Sequence, residues 1–212
     1  MKNERNCVFC DREKIQQDII YETPNLMIKV GFSLFAPGQT MLLSKEHYSC
    51  FAAIPDTLDQ EYNDVKNSLT RRVAETFSEP FLIEMGVWGQ SVSHAHTHVI
   101  PHKSPDYEIK SILEEMVLPG NIDLEEADMK RLKEVYKQER GYVSIEEHGR
   151  LYICHVTGIE FNPANFHPNL TFRGFCKQRG LDAGTSWKSL SEEQKKRDNE
   201  RRDITKKLLI FP

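Results

Sequence analysis

The order of apolar and polar positions divides the chain into a strand-rich first half and a more varied second half. Tyr21 and Asn25 to Val30 are short apolar stretches. Phe32 to Leu43 continues past Gly31 with Pro37-Gly38 as punctuation, so two antiparallel strands are predicted there. Leu58, Tyr62, Val65, Leu69, Val73 and Phe77 recur at helical spacing behind Asp56 or Thr57 as a cap, which predicts a helix over Thr57 to Phe77. Phe81 to Met85 and Val92 to Ile100 read as strands joined by a turn through Gly86 and Gly89. Beyond Pro101, Tyr107 to Met116 and Leu124 to Tyr136 are expected helices. Gly141 to His148 and Leu151 to Val156 form an expected hairpin around Gly149, and Asn162 to Pro168 is loop-like. Ser191 to Leu209 is predicted to be a charged, exposed helix that opens on the capping sequence Ser191-Glu192-Glu193-Gln194.

Composition narrows the class. With 39% hydrophobic and 28% charged residues in 212, the chain is an ordinary globular one, long enough for a large domain or a domain with an appendage. Lys and Arg total 28 against 32 Asp and Glu, a formal charge of -4, so no global basic field points to nucleic acid. The first seven residues are too polar for a secretory signal, and no apolar run approaches the roughly 18 residues of a membrane span. A cytoplasmic protein without a membrane partner is therefore expected. The five cysteines, Cys7, Cys10, Cys50, Cys154 and Cys176, are an odd set, unlike a secreted disulfide framework. Cys7 and Cys10 form a C-x-x-C pair, half of a tetrahedral zinc site or else two free surface thiols, whereas the other three read as buried small hydrophobes.

The most informative segment is His94-Ala95-His96-Thr97-His98. Strand geometry places its three imidazoles on one face, and with 8 histidines in 212 residues this alternation arises by chance in roughly one chain in a hundred. A neutral imidazole attacks electrophiles, and a neighbouring one holds its tautomer or protonates a leaving group. Just upstream, Gly89-Gln90-Ser91-Val92 adds turn amides and a hydroxyl suited to phosphoryl oxygens.

The block from Gly89 to Pro101 resembles the signature of the histidine triad family of nucleotide hydrolases and transferases. Ala36-Pro37-Gly38-Gln39-Thr40-Met41-Leu42-Leu43-Ser44-Lys45-Glu46-His47 is similar to that family's second, weaker block. The resemblance spans roughly residues 7 to 103. It implies that His96 is the nucleophile that forms a nucleotidyl-histidine intermediate and that His98 hydrogen-bonds and protonates the leaving group. Ser91, with the amides near Gly89 and Val92, would hold the phosphoryl oxygens or the departing atom, and Gln90 would line the pocket. It also implies a structural zinc held by Cys7, Cys10, His47 and His94, the alternative for His94 being to orient His96. Gln39 in place of a His and Ser44 in place of a Pro are departures from the family pattern that concern shape more than chemistry, whereas two others bear on substrate: Gly31 stands where an Asp usually holds ribose hydroxyls, and Ile83-Glu84-Met85-Gly86 lacks the usual Asn before the glycine turn.

The expected fold is α+β, a histidine-triad-like antiparallel sheet of about five strands with packed helices, plus a helical and hairpin extension. The expected division is 1–103 as catalytic core with a zinc clip and 104–212 as a substrate lid or dimer element. In the extension, Arg173 with Lys177, Arg179 and Lys188 either closes over an anionic substrate or forms a solvated helix face. Cleavage at the α-phosphorus of a nucleotide is expected, with P–N bonds favoured because Gly89-Gln90-Ser91-Val92 looks like the phosphoramidase branch. The alternatives are a dinucleoside polyphosphate hydrolase or phosphorylase and a nucleotide-binding module without turnover. A homodimer is implied by the resemblance.

Overall fold

The computed structural model describes residues 7–87, 90–102, 121–157 and 190–211. Eight strands form one sheet: β1 (Ile19–Glu22), β2 (Leu26–Val30), β3 (Thr40–Ser44), β4 (Pro80–Glu84), β5 (His96–Pro101), β6 (Asn121–Ala127), β7 (Val143–Glu147) and β8 (Arg150–Thr157). Their spatial order is β1-β2-β3-β5-β4-β7-β8-β6, and all neighbouring pairs are antiparallel. The sheet thus exceeds the five strands expected. The first five are those of residues 19–101, and β7, β8 and β6 extend the same sheet from the free side of β4.

Helix α1 (Asp59–Thr76) lies across one face. Tyr62, Val65, Leu69 and Val73 are its buried positions and meet Leu26, Ile28, Leu42, Leu82 and Val99. Its expected side-chain cap is not made. A 3-10 turn over Asp56–Leu58 leads into the helix, and Asp56 instead takes Lys133 at 2.8 Å. On the other face Phe9, Ile15, Met27, Met41 and Leu43 form a second apolar cluster.

The segment from Leu124 differs from expectation. Residues 121–127 pair along their length with β8, and Asp128 then accepts the Arg131 N–H to start helix α2 (Met129–Glu139). The apolar positions that suggested one helix belong to two elements separated by a cap. The hairpin at Gly149 is as expected. Val92–Ala95 precede β5 rather than belonging to it, because the strand's pairing with β3 begins at His96.

Helix α3 (Glu192–Leu208) starts in the expected capping box of Ser191 and Gln194. It is not simply exposed. One side docks on the β2–β3 connection: Asp198 accepts the Leu34 N–H at 2.6 Å, Arg201 donates to the Leu34 carbonyl at 2.6 Å, and Thr205 accepts the Gly38 N–H at 2.8 Å. Arg202 and Lys206 both reach Asp18, which is fully buried. Gly38, at φ +91°, has to be glycine, since a Cβ there would lie 2.5 Å from the Phe77 ring at the end of α1. Among the described residues no helix is long and apolar enough to cross a membrane. Tyr107–Met116, Asn162–Pro168 and the Arg173, Lys177, Arg179 and Lys188 cluster lie outside the described residues.

Candidate active site and metal centre

Register brings the histidines to the apolar face. His96 lies opposite Leu43 and His98 opposite Met41 on β3, and these pair onward with Met27 and Lys29 on β2. A floor of Met27, Met41 and Leu43, with Phe9, Phe32 and Val92 around it, thus adjoins the imidazoles. The Phe9 ring stands 5.3 Å from that of His96, and the His96 and His98 rings are 5.2 Å apart at 76°.

The tautomer of His96 follows from its surroundings. Its Nδ1 is 2.6 Å from the His94 carbonyl, which accepts only, so Nδ1 carries the proton and Nε2 holds the lone pair. Burial lowers its pKa, the carbonyl bond opposes this, and the Lys29 charge adds to the lowering. Burial thus favours the neutral ring, whose lone pair is then on Nε2. Lys29 is itself buried, which pulls its pKa down to about 7 against the support of Asp18. Its ammonium sits 3.8 Å above the Phe32 ring.

His94 turns toward Cys7, Cys10 and His47. Its Nε2 donates to the Ser44 carbonyl at 2.8 Å, leaving Nδ1 as a lone-pair donor 3.5 Å from the sulfurs of both Cys7 and Cys10. His47 Nδ1 is 3.3 Å from Cys10 Sγ. All four donor atoms lie within 4.8 Å of one another. Ligands at the vertices of a tetrahedron around zinc at ~2.0–2.3 Å stand ~3.3–3.8 Å apart, a range that the three contacts of 3.3–3.5 Å meet, with the other pairs no more than 4.8 Å apart. Burial lowers the His94 pKa to about 4, which keeps the ring in the neutral form a metal requires. The four predicted ligands are therefore together, two Cys and two His, with the second nitrogen of His94 fixed by a backbone acceptor.

The other predicted residues are placed less uniformly. Val92 packs into the histidine-face cluster. Gln90 donates to the Ser49 carbonyl at 2.8 Å, and Ser91 is exposed with no hydrogen bond to either histidine among the described residues. Gly89 and Arg173 lie outside the described residues. His102 faces Glu147 on β7 at 3.3 Å. Cys50 and Cys154 are buried, which pushes both thiols up to about 12, as inert core residues.

Sequence reasoning missed Lys29, Ser44 as the partner of His94, and Phe9 as the ring against His96. Only Phe9 had a local signal, its place inside the C-x-x-C turn. The other two depend on cross-strand register.

Comparison with known proteins places the first half of the chain. An uncharacterized HIT-like protein of Methanocaldococcus jannaschii is 28% identical over 138 residues, 61% of this chain and 98% of the relative. The Protein hit of Bacillus subtilis is 28% identical over 104 residues, 45% of this chain and 70% of its own. Among solved structures, a zinc-bound histidine triad family protein from Mycobacterium smegmatis is similar at 23% identity and a TM-score of 0.40, covering 49% of this chain and 80% of that one. The family model of the HIT domain matches residues 12–104.

Proposed function

We propose that the protein is a nucleotide hydrolase that cleaves at the α-phosphorus through a nucleotidyl-histidine intermediate, acting on P–N bonds of nucleoside phosphoramidates, aminoacyl or peptidyl nucleotides included. The observation that carries this reading is the hydrogen bond from His96 Nδ1 to the His94 carbonyl, which leaves Nε2 as a free lone pair beside His98. In the reaction His96 Nε2 forms a bond to phosphorus as the bond to the leaving amine breaks. His98 gives its proton to the departing nitrogen. Water then attacks phosphorus, the nucleoside monophosphate leaves, and His96 is regenerated. Ser91 and the amides around Gly89 and Val92 hold the phosphoryl oxygens, Gln90 borders the pocket, and Arg173 contacts the substrate's anionic part.

Structural zinc at Cys7, Cys10, His47 and His94 fixes the carbonyl of His94 and with it the tautomer of His96. Residues 1–103 supply the reacting groups, and β7 and α3 buttress them. A cytoplasmic location suits both the nucleotide substrate and the free thiols. If a homodimer forms, it uses a surface other than the second edge of β4, which β7 of the same chain occupies.

The deciding experiment is release of AMP from an adenosine phosphoramidate, with the nucleotidyl adduct sought by mass spectrometry. Wild type should turn over and show the adduct, and His96→Ala should lose at least about 10³-fold in kcat with no adduct. Faster turnover of diadenosine polyphosphates than of phosphoramidates would move the assignment to that substrate class. A folded wild type that binds AMP but turns over neither would leave a binding module.

A further inference from the structure

The sheet face under α1 carries polar side chains that neither the histidines nor the Cys/His cluster uses. Ile83 lies opposite His98, which brings Glu84 beside Thr97, and on its other side Glu84 pairs with Ser144 of β7. A row of hydroxyl, carboxyl and hydroxyl therefore crosses three central strands in a place where aliphatic side chains would ordinarily fill a core. Thr97, Glu84 and Ser144 are 3%, 2% and 4% exposed. Glu84 accepts from the Phe51 N–H at 2.8 Å and from the Tyr142 hydroxyl at 2.7 Å. The Thr97 hydroxyl faces the Tyr62 phenol closely enough to favour its ionised form but makes no hydrogen bond of normal length and angle.

Above this row, between α1 and α2, is a cavity of about 420 Å³, within the size range of small-molecule sites. Tyr62 and Lys66 form one wall, and Met129 and Leu132 the other. Its charged groups are mostly engaged: Lys66 with Glu146 at 2.5 Å, Asp59 with Lys133 at 2.6 Å, and Asp128 with the α2 amide it caps. An anion would meet Asp59, Glu84, Asp128 and Glu146 against Lys66 and Lys130. A cation would find most of these carboxyls already taken. The unspent capacity belongs to groups that both donate and accept, flanked by ring and aliphatic surface.

We propose that this cavity is a second small-molecule site, on the sheet face opposite the reacting histidines, that takes a neutral polyhydroxylated ligand of about monosaccharide size. The ligand's hydroxyls pair with Thr97 and Ser144, and its C–H face lies on Tyr62 and Met129. The site stands independently of the hydrolase reading, because none of these residues touches His96 or His98 side chains.

The test is ligand-observed saturation-transfer NMR on the full chain with D-glucose and D-ribose as probes, together with amide shifts of the labelled protein. Saturable transfer is expected, with the largest shifts at Thr97 and Ser144. In Thr97→Val/Ser144→Ala, which keeps side-chain size and removes the hydroxyls, affinity should fall at least fivefold. His96→Ala and excess AMP should leave binding unchanged. The proposal is overturned if transfer is not saturable and the cavity holds water only, if the folded double variant binds as wild type does, or if AMP displaces the probe and so places it on the histidine face.

Discussion

Glu84 shows how a single buried side chain sets a pH dependence. Burial raises its pKa to about 7, opposed by the bonds from Phe51 and Tyr142. Below the ordinary carboxylate range the group is protonated in both folded and unfolded chains, and above about pH 7 it is ionised in both. In between, the folded chain holds a proton that the unfolded chain has released, so stability falls as pH rises through that window, by up to about 1.4 kcal/mol per pH unit. Glu84→Gln keeps an acceptor for the Phe51 amide and removes the titration. The variant should match or exceed wild type at pH 8 by about 1–3 kcal/mol, with its advantage shrinking at pH 5, as read from urea unfolding at both values. Parallel stability profiles would show that Glu84 does not titrate in this window. Nothing near Glu84 in the sequence announces this role. The C-x-x-C pair and the alternating histidines were legible because their chemistry is written at short spacing. Glu84, Lys29 and Ser44 owe theirs to strand register, which joins residues tens of positions apart.

At the scale of elements, legibility followed periodicity. Helix α1 was readable from its apolar stripe and the hairpin β7–β8 from its alternation around Gly149. The stretch from Leu124 was misread because β6 and α2 each contribute only a few apolar positions, and these fall in step across the Asp128 cap. Helix α3 was legible as a helix through its capping box but not as a docked one, because polar side chains rather than a hydrophobic face attach it. Its attachment makes a definite expectation. Asp198→Ala leaves the buried Leu34 N–H without its acceptor, which costs about 1–3 kcal/mol. Thr205→Val similarly strips the acceptor from the Gly38 N–H and should cost about 1 kcal/mol. Chemical denaturation measures both. A loss near zero for Asp198→Ala would mean that α3 does not hold the β2–β3 connection in solution.

For the whole molecule, the metal cluster and the continuous sheet tie distant parts of the chain together. Cys7 and Cys10 stand beside His47 and His94, so zinc bound there would close two long loops and hold the N-terminal turn, with Phe9, against the histidine face. Purified protein should carry zinc near one per chain, and Cys7→Ala should lose most of it with a lower melting temperature. Wild type reconstituted with zinc and still metal-free would refute the site. The sheet makes the second demand. A fragment of residues 1–103 would keep β1 to β5 and α1 but lose β7, which pairs with β4 through Leu82, Ile83 and Glu84. It would also lose Tyr142, whose ring lies so close to Gly86 that a Cβ there would stand 2.3 Å from it, and the α3 contacts at Leu34 and Gly38. The bared β4 edge then presents unpaired amides and carbonyls beside a buried carboxyl, a template for pairing with another chain. We therefore expect the fragment to associate or precipitate, where the full chain stays dispersed at the same concentration by light scattering. A fragment that remained monomeric with native-like amide protection in β4 would mean that the later strands are an attachment to the domain rather than part of its core.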